Sequence, residues 1–234
     1  MKRSIGILGG MGPLATADLF RKIVLLTDAS RDSDHIRIYI DDNASIPDRT
    51  AAILAGGPDP LPAMTDSLRK LEACGADCII MPCNTAHYFL PQLQALTKLP
   101  FLSMLEATAR ACQARFPGET AAILATKGTL AADLYQQTLL GAEVPFLVPG
   151  PEEQDALMRV IYEGVKAGAP PEMYRSDMTA VMERLTAQGA GYFILGCTEL
   201  PVAYQALGLT APAVDPTAEL AKAAIRFCGY AAKE

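Results

Sequence analysis

Leu71-Glu-Ala-Cys-Gly-Ala-Asp-Cys-Ile-Ile-Met-Pro-Cys-Asn-Thr85 and Leu185-Thr-Ala-Gln-Gly-Ala-Gly-Tyr-Phe-Ile-Leu-Gly-Cys-Thr-Glu199 align without a gap. Each copy closes a helix, turns at a Gly-Ala pair (Gly75-Ala76, Gly189-Ala190), runs through a short apolar stretch and ends on a cysteine, Cys83 or Cys197. Glycine just past a periodic segment is a helix stop, and a short apolar run between turn signals reads as a buried strand. Open α/β sheets bind ligands beyond the C-terminal ends of their strands. The repeat therefore sets two thiols at ligand-binding edges, one in each half of the chain.

The rest of the sequence extends this pattern. Short apolar runs alternate with amphipathic stretches, the signature of βαβ units around a mainly parallel sheet. Ser4–Gly9 reads as a first strand, the Gly10-Met-Gly-Pro13 turn opens a helix over 14–27, and Ile36–Ile40 is a second strand. Helices are expected over 61–74 and 85–96, around the first cysteine strand. Pro100-Phe-Leu-Ser103 and Pro212-Ala-Val-Asp215 each introduce a further short strand and helix at matching places in the two halves. The second half restarts at Thr120–Thr126, with helices expected over 131–140, 152–167 and 171–188. The Gly56-Gly-Pro-Asp-Pro60 connector is either a lid or a solvated turn. The expected architecture is α/β: two similar Rossmann-like lobes related by a pseudo-two-fold repeat, with a cleft between them as the site. The first lobe is expected over 1–98 plus 211–234 and the second over 99–210.

Composition narrows the class of ligand. The net charge is −6 with no basic run, which leaves no electrostatic footprint for nucleic acid or an anionic membrane. Met-Lys-Arg followed by apolar residues superficially resembles a secretory leader. The stretch is broken by Gly9, Gly10, Gly12 and Pro13 and has an internal sibling at Thr120–Thr126, so it reads as a strand. No apolar run reaches the roughly 20 residues of a membrane helix. Six cysteines without paired C-x-x-C spacing suit neither a disulfide scaffold nor a zinc site, and a reducing cytoplasm is expected. A small molecule is the expected partner.

Two thiols on duplicated units can serve one carbon from opposite faces, one as base and one as acid, which is what racemisation requires. A helix N-terminus after each cysteine would lower the thiol pKa from about 8.5 toward neutrality. Buried inert cysteine is the ordinary reading of a lone Cys. The matched placement sets Cys83 and Cys197 apart from Cys74, Cys78, Cys112 and Cys228, which keep it. Free N–H groups in Gly9-Gly-Met-Gly-Pro13 would accept a carboxylate, whereas the turn matches neither the dinucleotide fingerprint nor a P-loop. His87, four residues after Cys83, suggests a Cys/His hydrolase or a metal pair, against which Pro201 stands at the equivalent place and His35 is the only other histidine. Arg49, on a loop, and Lys166, at a helix end, can each pair with a carboxylate or simply be solvated. Glu199 either orients an ammonium or stabilises a helix start.

Gly6-Ile-Leu-Gly-Gly-Met-Gly-Pro13, Ile46-Pro-Asp-Arg-Thr50, Pro82-Cys-Asn-Thr-Ala-His87, Gly196-Cys-Thr-Glu-Leu200 and Asp215-Pro-Thr217 together resemble the aspartate/glutamate racemase family, in particular its cofactor-independent aspartate racemases. The resemblance implies that Cys83 and Cys197 are the paired catalysts and that Asn84, Thr85 and Thr198 hold the α-carboxylate. Arg49 and Lys166 would then meet the side-chain carboxylate of aspartate or glutamate. It implies no pyridoxal phosphate or other cofactor, no metal, a homodimer, and a last strand and helix that return to the first lobe. The expected pocket is rimmed by Met11, Asn84, Thr85, Thr126, Thr198 and Glu199. The alternatives are an isomerase or decarboxylase of a small carboxylic acid such as maleate, and an amino-acid-binding module with idle thiols. Loss of the Cα proton into deuterated water separates racemisation from both.

Overall fold

The computed structural model describes residues 2–233. Strand β1 (Ile5–Gly9) turns through Gly10 into α1 (Pro13–Leu26), followed by β2 (Ile38–Asp42), α2 (Arg49–Ala55), α3 (Leu61–Ala73) and β3 (Cys78–Ile80). A 3-10 turn over Thr85–Phe89, α4 (Leu90–Ala95) and α5 (Met104–Arg115) come next. The second series is β4 (Ala121–Ala125), α6 (Lys127–Ala131), α7 (Leu134–Gly141), β5 (Phe146–Leu147) and α8 (Pro151–Met158), which widens into a π-helix over Arg159–Lys166. It continues with a 3-10 turn at Pro171–Met173, α9 (Arg175–Ala187), β6 (Tyr192–Gly196), α10 (Glu199–Ala206), β7 (Ala213–Val214) and α11 (Pro216–Phe227).

The two sheets repeat one topology. The first has the order β2-β1-β3 and the second β5-β4-β6-β7, with every pairing parallel. A parallel bridge from Ile79 to Phe101 lies where β7 lies beside β6. Even its hydrogen bonds correspond: Ile79 N–H donates to Pro100 O at 3.0 Å, and Phe193 N–H to Pro212 O at 3.0 Å. The Gly-Ala turns are also matched. Gly75 and Gly189 have φ of 86° and 104°, a left-handed conformation open to glycine. The next amide closes back on the helix, Ala76 N–H on Leu71 O at 3.2 Å and Ala190 N–H on Leu185 O at 3.0 Å. This glycine-terminated helix end satisfies otherwise orphaned carbonyls and aims the chain into the strand.

Strands covered on both faces read as continuous apolar runs, and β1, β4 and β6 are buried along their whole length. In the first unit, Ile5, Ile7, Cys78 and Ile80 pack with Leu19 and Ile23 of α1 and Leu220, Ala224 and Ile225 of α11. Leu8, Ile79 and Met81 fall in a second cluster with Met64, Leu68 and Leu71 of α3. In the second unit Ala122, Leu124, Phe193 and Leu195 meet Leu157, Val160, Ile161, Met178 and Leu185. Full burial of a Leu or Ile side chain stabilises by about 1.5–3 kcal/mol, so these faces dominate the energetics of each unit.

The chain divides into two compact units, one running up to Ala107 and resuming at Thr217, the other Thr108–Pro216. This differs from the boundaries at 98/99 and 210/211 read from the sequence. Phe101 pairs with Ile79, which keeps the segment after residue 98 in the first unit, and Ala213-Val214 pair with β6, which keeps β7 in the second. Thus α11 returns to the first unit and the last strand does not. Helix boundaries differ where local chemistry intervenes. The helix expected over 85–96 splits at Leu90, beside Pro91, which lacks an N–H. That expected over 131–140 is broken by Asp133 at φ 51°. The Gly56–Pro60 connector is a capping turn: Gly57 N–H bonds Ala51 O at 3.1 Å and Asp59 accepts from Leu61 N–H at 2.9 Å.

Candidate active site

In the first unit the residues flagged by sequence gather around the C-terminal ends of β1 and β3. Cys83, Asn84 and Thr85 follow β3 and are all buried. Met11 and Cys83 belong to one apolar cluster with Ile46 and Ala86. Arg49 is not on a loop, as the sequence reading had it. It is the first residue of α2, whose N-terminus Asp48 caps by accepting from Ala51 N–H at 2.8 Å. Its side chain is 7% exposed, and the guanidinium donates to Met11 O at 2.8 Å, Pro47 O at 2.9 Å and Ile46 O at 3.2 Å. Arg49 thus ties the glycine turn after β1 to the segment before α2. The solvated-base reading is excluded by that burial.

The glycine turn is itself held by side-chain and backbone packing. Gly10 N–H donates to Thr16 Oγ1 at 2.9 Å, and a Cβ on Gly10 would stand 2.2 Å from the carbonyl carbon of Asn43. Only glycine fits there. His87 is a structural clamp. Met104 N–H donates to Nε2 at 3.0 Å, which leaves Nδ1 protonated and donating to Cys83 O at 2.9 Å. Burial lowers its pKa to about 4, so the ring is neutral near pH 7. This fixes the backbone of Cys83 against the start of α5 and uses both ring nitrogens, which removes the hydrolase and metal readings of His87.

In the second unit Cys197, Thr198 and Glu199 lie at the junction of β6 and α10, all buried. Cys197 Sγ donates to Glu199 Oε2 at 2.9 Å, and Thr198 Oγ1 donates to the same oxygen at 3.2 Å. Lys166 Nζ stands 3.7 Å from Glu199 Oε1 and 4.8 Å from the centre of the Tyr162 ring. Lys166 closes the π-helix, a rare element that recurs at functional sites. Burial pushes the Cys197 thiol well above its usual pKa, and the charge and hydrogen bond of Glu199 push the same way, with Lys166 opposing. The sequence reading expected a helix terminus to ease one of the two thiols toward thiolate and left open which one. The buried sulfur and the adjacent carboxylate outweigh the helix terminus, and Cys197 rests as a thiol.

Thr126 ends β4 and caps α6, accepting from Thr129 N–H at 3.2 Å. Tyr135 is fully buried against Gly196, where a Cβ would come within 2.9 Å of its ring. Burial also raises the Tyr135 pKa, so the phenol stays neutral. Neither Tyr135 nor Tyr162 was marked by sequence, because an aromatic residue in an apolar helix carries no pattern distinct from core. Two surface hollows of the second unit, of about 330 and 460 Å³, contain none of these residues. No helix of the described residues is long and apolar enough to cross a membrane.

Comparison with known proteins agrees with this arrangement. The family model described as Asp/Glu/Hydantoin racemase matches residues 8–224. The chain is 28% identical over 229 residues to the broad specificity amino-acid racemase RacX of Bacillus subtilis, spanning 94% of this chain and 96% of that protein. Picrophilus torridus aspartate racemase is similar with a TM-score of 0.86 and 30% identity, over 98% of this chain and 96% of that one. The glutamate racemase of Francisella tularensis, solved with D-glutamate, shares the fold at 16% identity, with a TM-score of 0.69 over 97% of this chain and 81% of that one.

Proposed function

As a member of the Asp/Glu/Hydantoin racemase family the chain is an amino-acid racemase, and we propose that it inverts an acidic amino acid, aspartate or glutamate, without a cofactor, with Cys83 and Cys197 as the paired base and acid. One observation carries this reading: each unit presents a cysteine after the same strand of the same topology, behind the same glycine-terminated helix. A core has no reason to repeat a thiol at a ligand-binding edge. A two-faced proton transfer does.

The Cys83 thiolate takes the Cα proton from one face, and the Cys197 thiol gives its proton to the other. The products are the mirror-image amino acid, a Cys83 thiol and a Cys197 thiolate, so atoms and charge balance. Amino-acid Cα–H is a very weak acid, so most of the barrier must be lowered by donors aimed at charge building on the α-carboxylate. Asn84, Thr85 and Thr198, adjacent to the two thiols in sequence, are assigned that role. Arg49 and Lys166 are assigned to the distal carboxylate, Lys166 by exchanging Glu199 for the substrate. Met11 and Thr126, at the ends of β1 and β4, complete the wall. Glu199 remains the group assigned to the substrate ammonium.

The choice of an acidic substrate is supported by the likeness to the Picrophilus aspartate racemase and by the two cations. Free thiols at all six cysteines fit a reducing, cytoplasmic setting, and the family resemblance supports a homodimer. The direct assay offers each L-amino acid and follows the appearance of the D-enantiomer by chiral chromatography. Inversion of aspartate or glutamate, faster than of alanine, is the expected outcome. Inversion of neutral amino acids alone overturns the substrate assignment, and inversion of none overturns the reading.

A further inference from the structure

The two thiols occupy equivalent positions but do not have equivalent neighbours. After Cys83 come Asn84 and Thr85, which carry no charge. After Cys197, the Glu199 carboxylate sits 2.9 Å from Sγ, is 6% exposed and is steadied by Thr198 Oγ1 and Lys166 Nζ. We propose that Glu199 is a positioning residue that holds the proton on Cys197, so that the free enzyme rests with Cys197 as acid and Cys83 as base. The inference rests on the two-base reading and goes beyond it: the resting enzyme is set for one enantiomer and must exchange protons with solvent before it takes the other.

The physical basis is a competition of charges in a buried site. A Cys197 thiolate would stand against the Glu199 carboxylate with little water between them, and like charges at hydrogen-bond distance strongly disfavour double ionisation. As a thiol, Cys197 donates to that carboxylate instead. The charged or titratable groups around the pair are Glu199 itself, Lys166 at the end of the π-helix, Tyr162 beneath Lys166, and Tyr135 beside Gly196. Lys166 and the Glu199 backbone N–H favour the thiolate. They keep the minor form within reach, because turnover in either direction must pass through a Cys197 thiolate.

The kinetic consequence has a definite shape. The equilibrium constant of racemisation is one, so kcat/KM must be equal for the two enantiomers whatever the enzyme does. An unequal resting population appears instead as kcat and KM that differ between enantiomers by the same factor. Replacing Glu199 by an uncharged isostere is expected to narrow that difference, alongside any loss of turnover from its contact with the substrate ammonium.

The test is titration of Cys197 by NMR of protein labelled with 13C at cysteine Cβ, with the signal assigned by its disappearance in Cys197→Ser. In Glu199→Gln the Cys197 midpoint is expected to fall by at least about one pH unit, while the signals of Cys74, Cys78, Cys112 and Cys228 hold their positions. In Lys166→Gln it is expected to rise. These opposed directions are not produced by loosened packing, and the lysine variant decides the matter should Glu199→Gln fail to fold. A Cys197 midpoint that stays in place in Glu199→Gln, or that falls in Lys166→Gln, overturns the proposal. The readout needs no turnover, so failure of the racemase reading would show separately, as absence of inversion by the unmodified protein.

Discussion

Cys197 and Glu199, two residues apart at the start of α10, are joined by a 2.9 Å hydrogen bond from thiol to carboxylate, and nothing of that charge follows Cys83 in the first unit. The repeated fold thus delivers two like groups, and the residue two places on makes them unlike. In a two-base reaction one thiol is charged while its counterpart is not, and the Glu199 carboxylate biases which of the two keeps the proton.

The first prediction concerns the thiols. Cys83→Ser and Cys197→Ser should each abolish inversion of both enantiomers, since each direction needs a base on one face and a proton donor on the other. A variant with one thiol can exchange the Cα proton of one enantiomer without inverting it. Chiral chromatography run beside proton NMR in deuterated water distinguishes the two outcomes. Near-normal inversion by either serine variant removes that cysteine from the mechanism.

Lys166 gives a prediction about substrate charge. A charge-assisted hydrogen bond is worth about 1.5–3 kcal/mol, so Lys166→Ala should lower kcat/KM for aspartate by roughly 30-fold, the equivalent of about 2 kcal/mol. Turnover of alanine, measured in the same preparation, loses only the help that Lys166 gives the Cys197 thiolate and should fall by a smaller factor. Equal losses on both substrates would mean that Lys166 does not read the side-chain carboxylate.

Arg49 is expected to affect stability as well as binding. Its guanidinium satisfies the carbonyls of Met11, Ile46 and Pro47 from a buried position. Arg49→Ala strands those acceptors and should cost on the order of 3 kcal/mol, seen as a lower urea midpoint at unchanged slope. Arg49→Lys should recover only part, because an ammonium cannot reproduce the planar fork. An unfolding free energy within about 0.5 kcal/mol of the parent in Arg49→Ala contradicts this structural role.

His87 predicts a pH dependence. Burial lowers its pKa from 6.5 to about 4 in the fold, so between those values the unfolded chain binds a proton that the native protein refuses. Stability is therefore fully present above pH 6.5 and declines as pH falls toward 4, by about 2 kcal/mol between pH 7 and 5 for this group. The carboxylates that are stabilised in the fold, Glu72, Asp77 and Asp155, lose their contribution further down, below the ordinary carboxylate range. In His87→Gln the decline between pH 7 and 5 should largely vanish, as urea titrations at the two pH values would show. A decline of unchanged size excludes His87 as its source.

The sequence carried the parts of this account that depend on pattern. The Gly75 and Gly189 turns, the apolar strands and the two cysteines announced themselves because a repeat at constant spacing leaves few other readings. What it could not carry were contacts between residues far apart along the chain. Lys166 reaches Glu199, and Arg49 reaches Met11, across more than thirty residues each. Sequence therefore left both cations between solvent and ligand, and left open which cysteine rests as thiolate. The division into units differs from the boundaries read in the sequence for a similar reason. Phe101 and Val214 head similar segments, and only strand pairing shows that each stays with its own sheet.

The central claim is that two thiols act from opposite faces of one carbon, and isotope distribution at low conversion tests it most directly. Enantiopure L-aspartate is incubated with the protein in deuterated water, and both enantiomers are recovered and analysed for Cα deuterium before a tenth, roughly, has reacted. Because a cysteine holds a single proton that is returned to substrate faster than it is lost to solvent, the D-aspartate formed should carry deuterium while the remaining L-aspartate keeps its protium. Deuterium entering residual substrate as fast as product would contradict the two-base account and point to one base serving both faces.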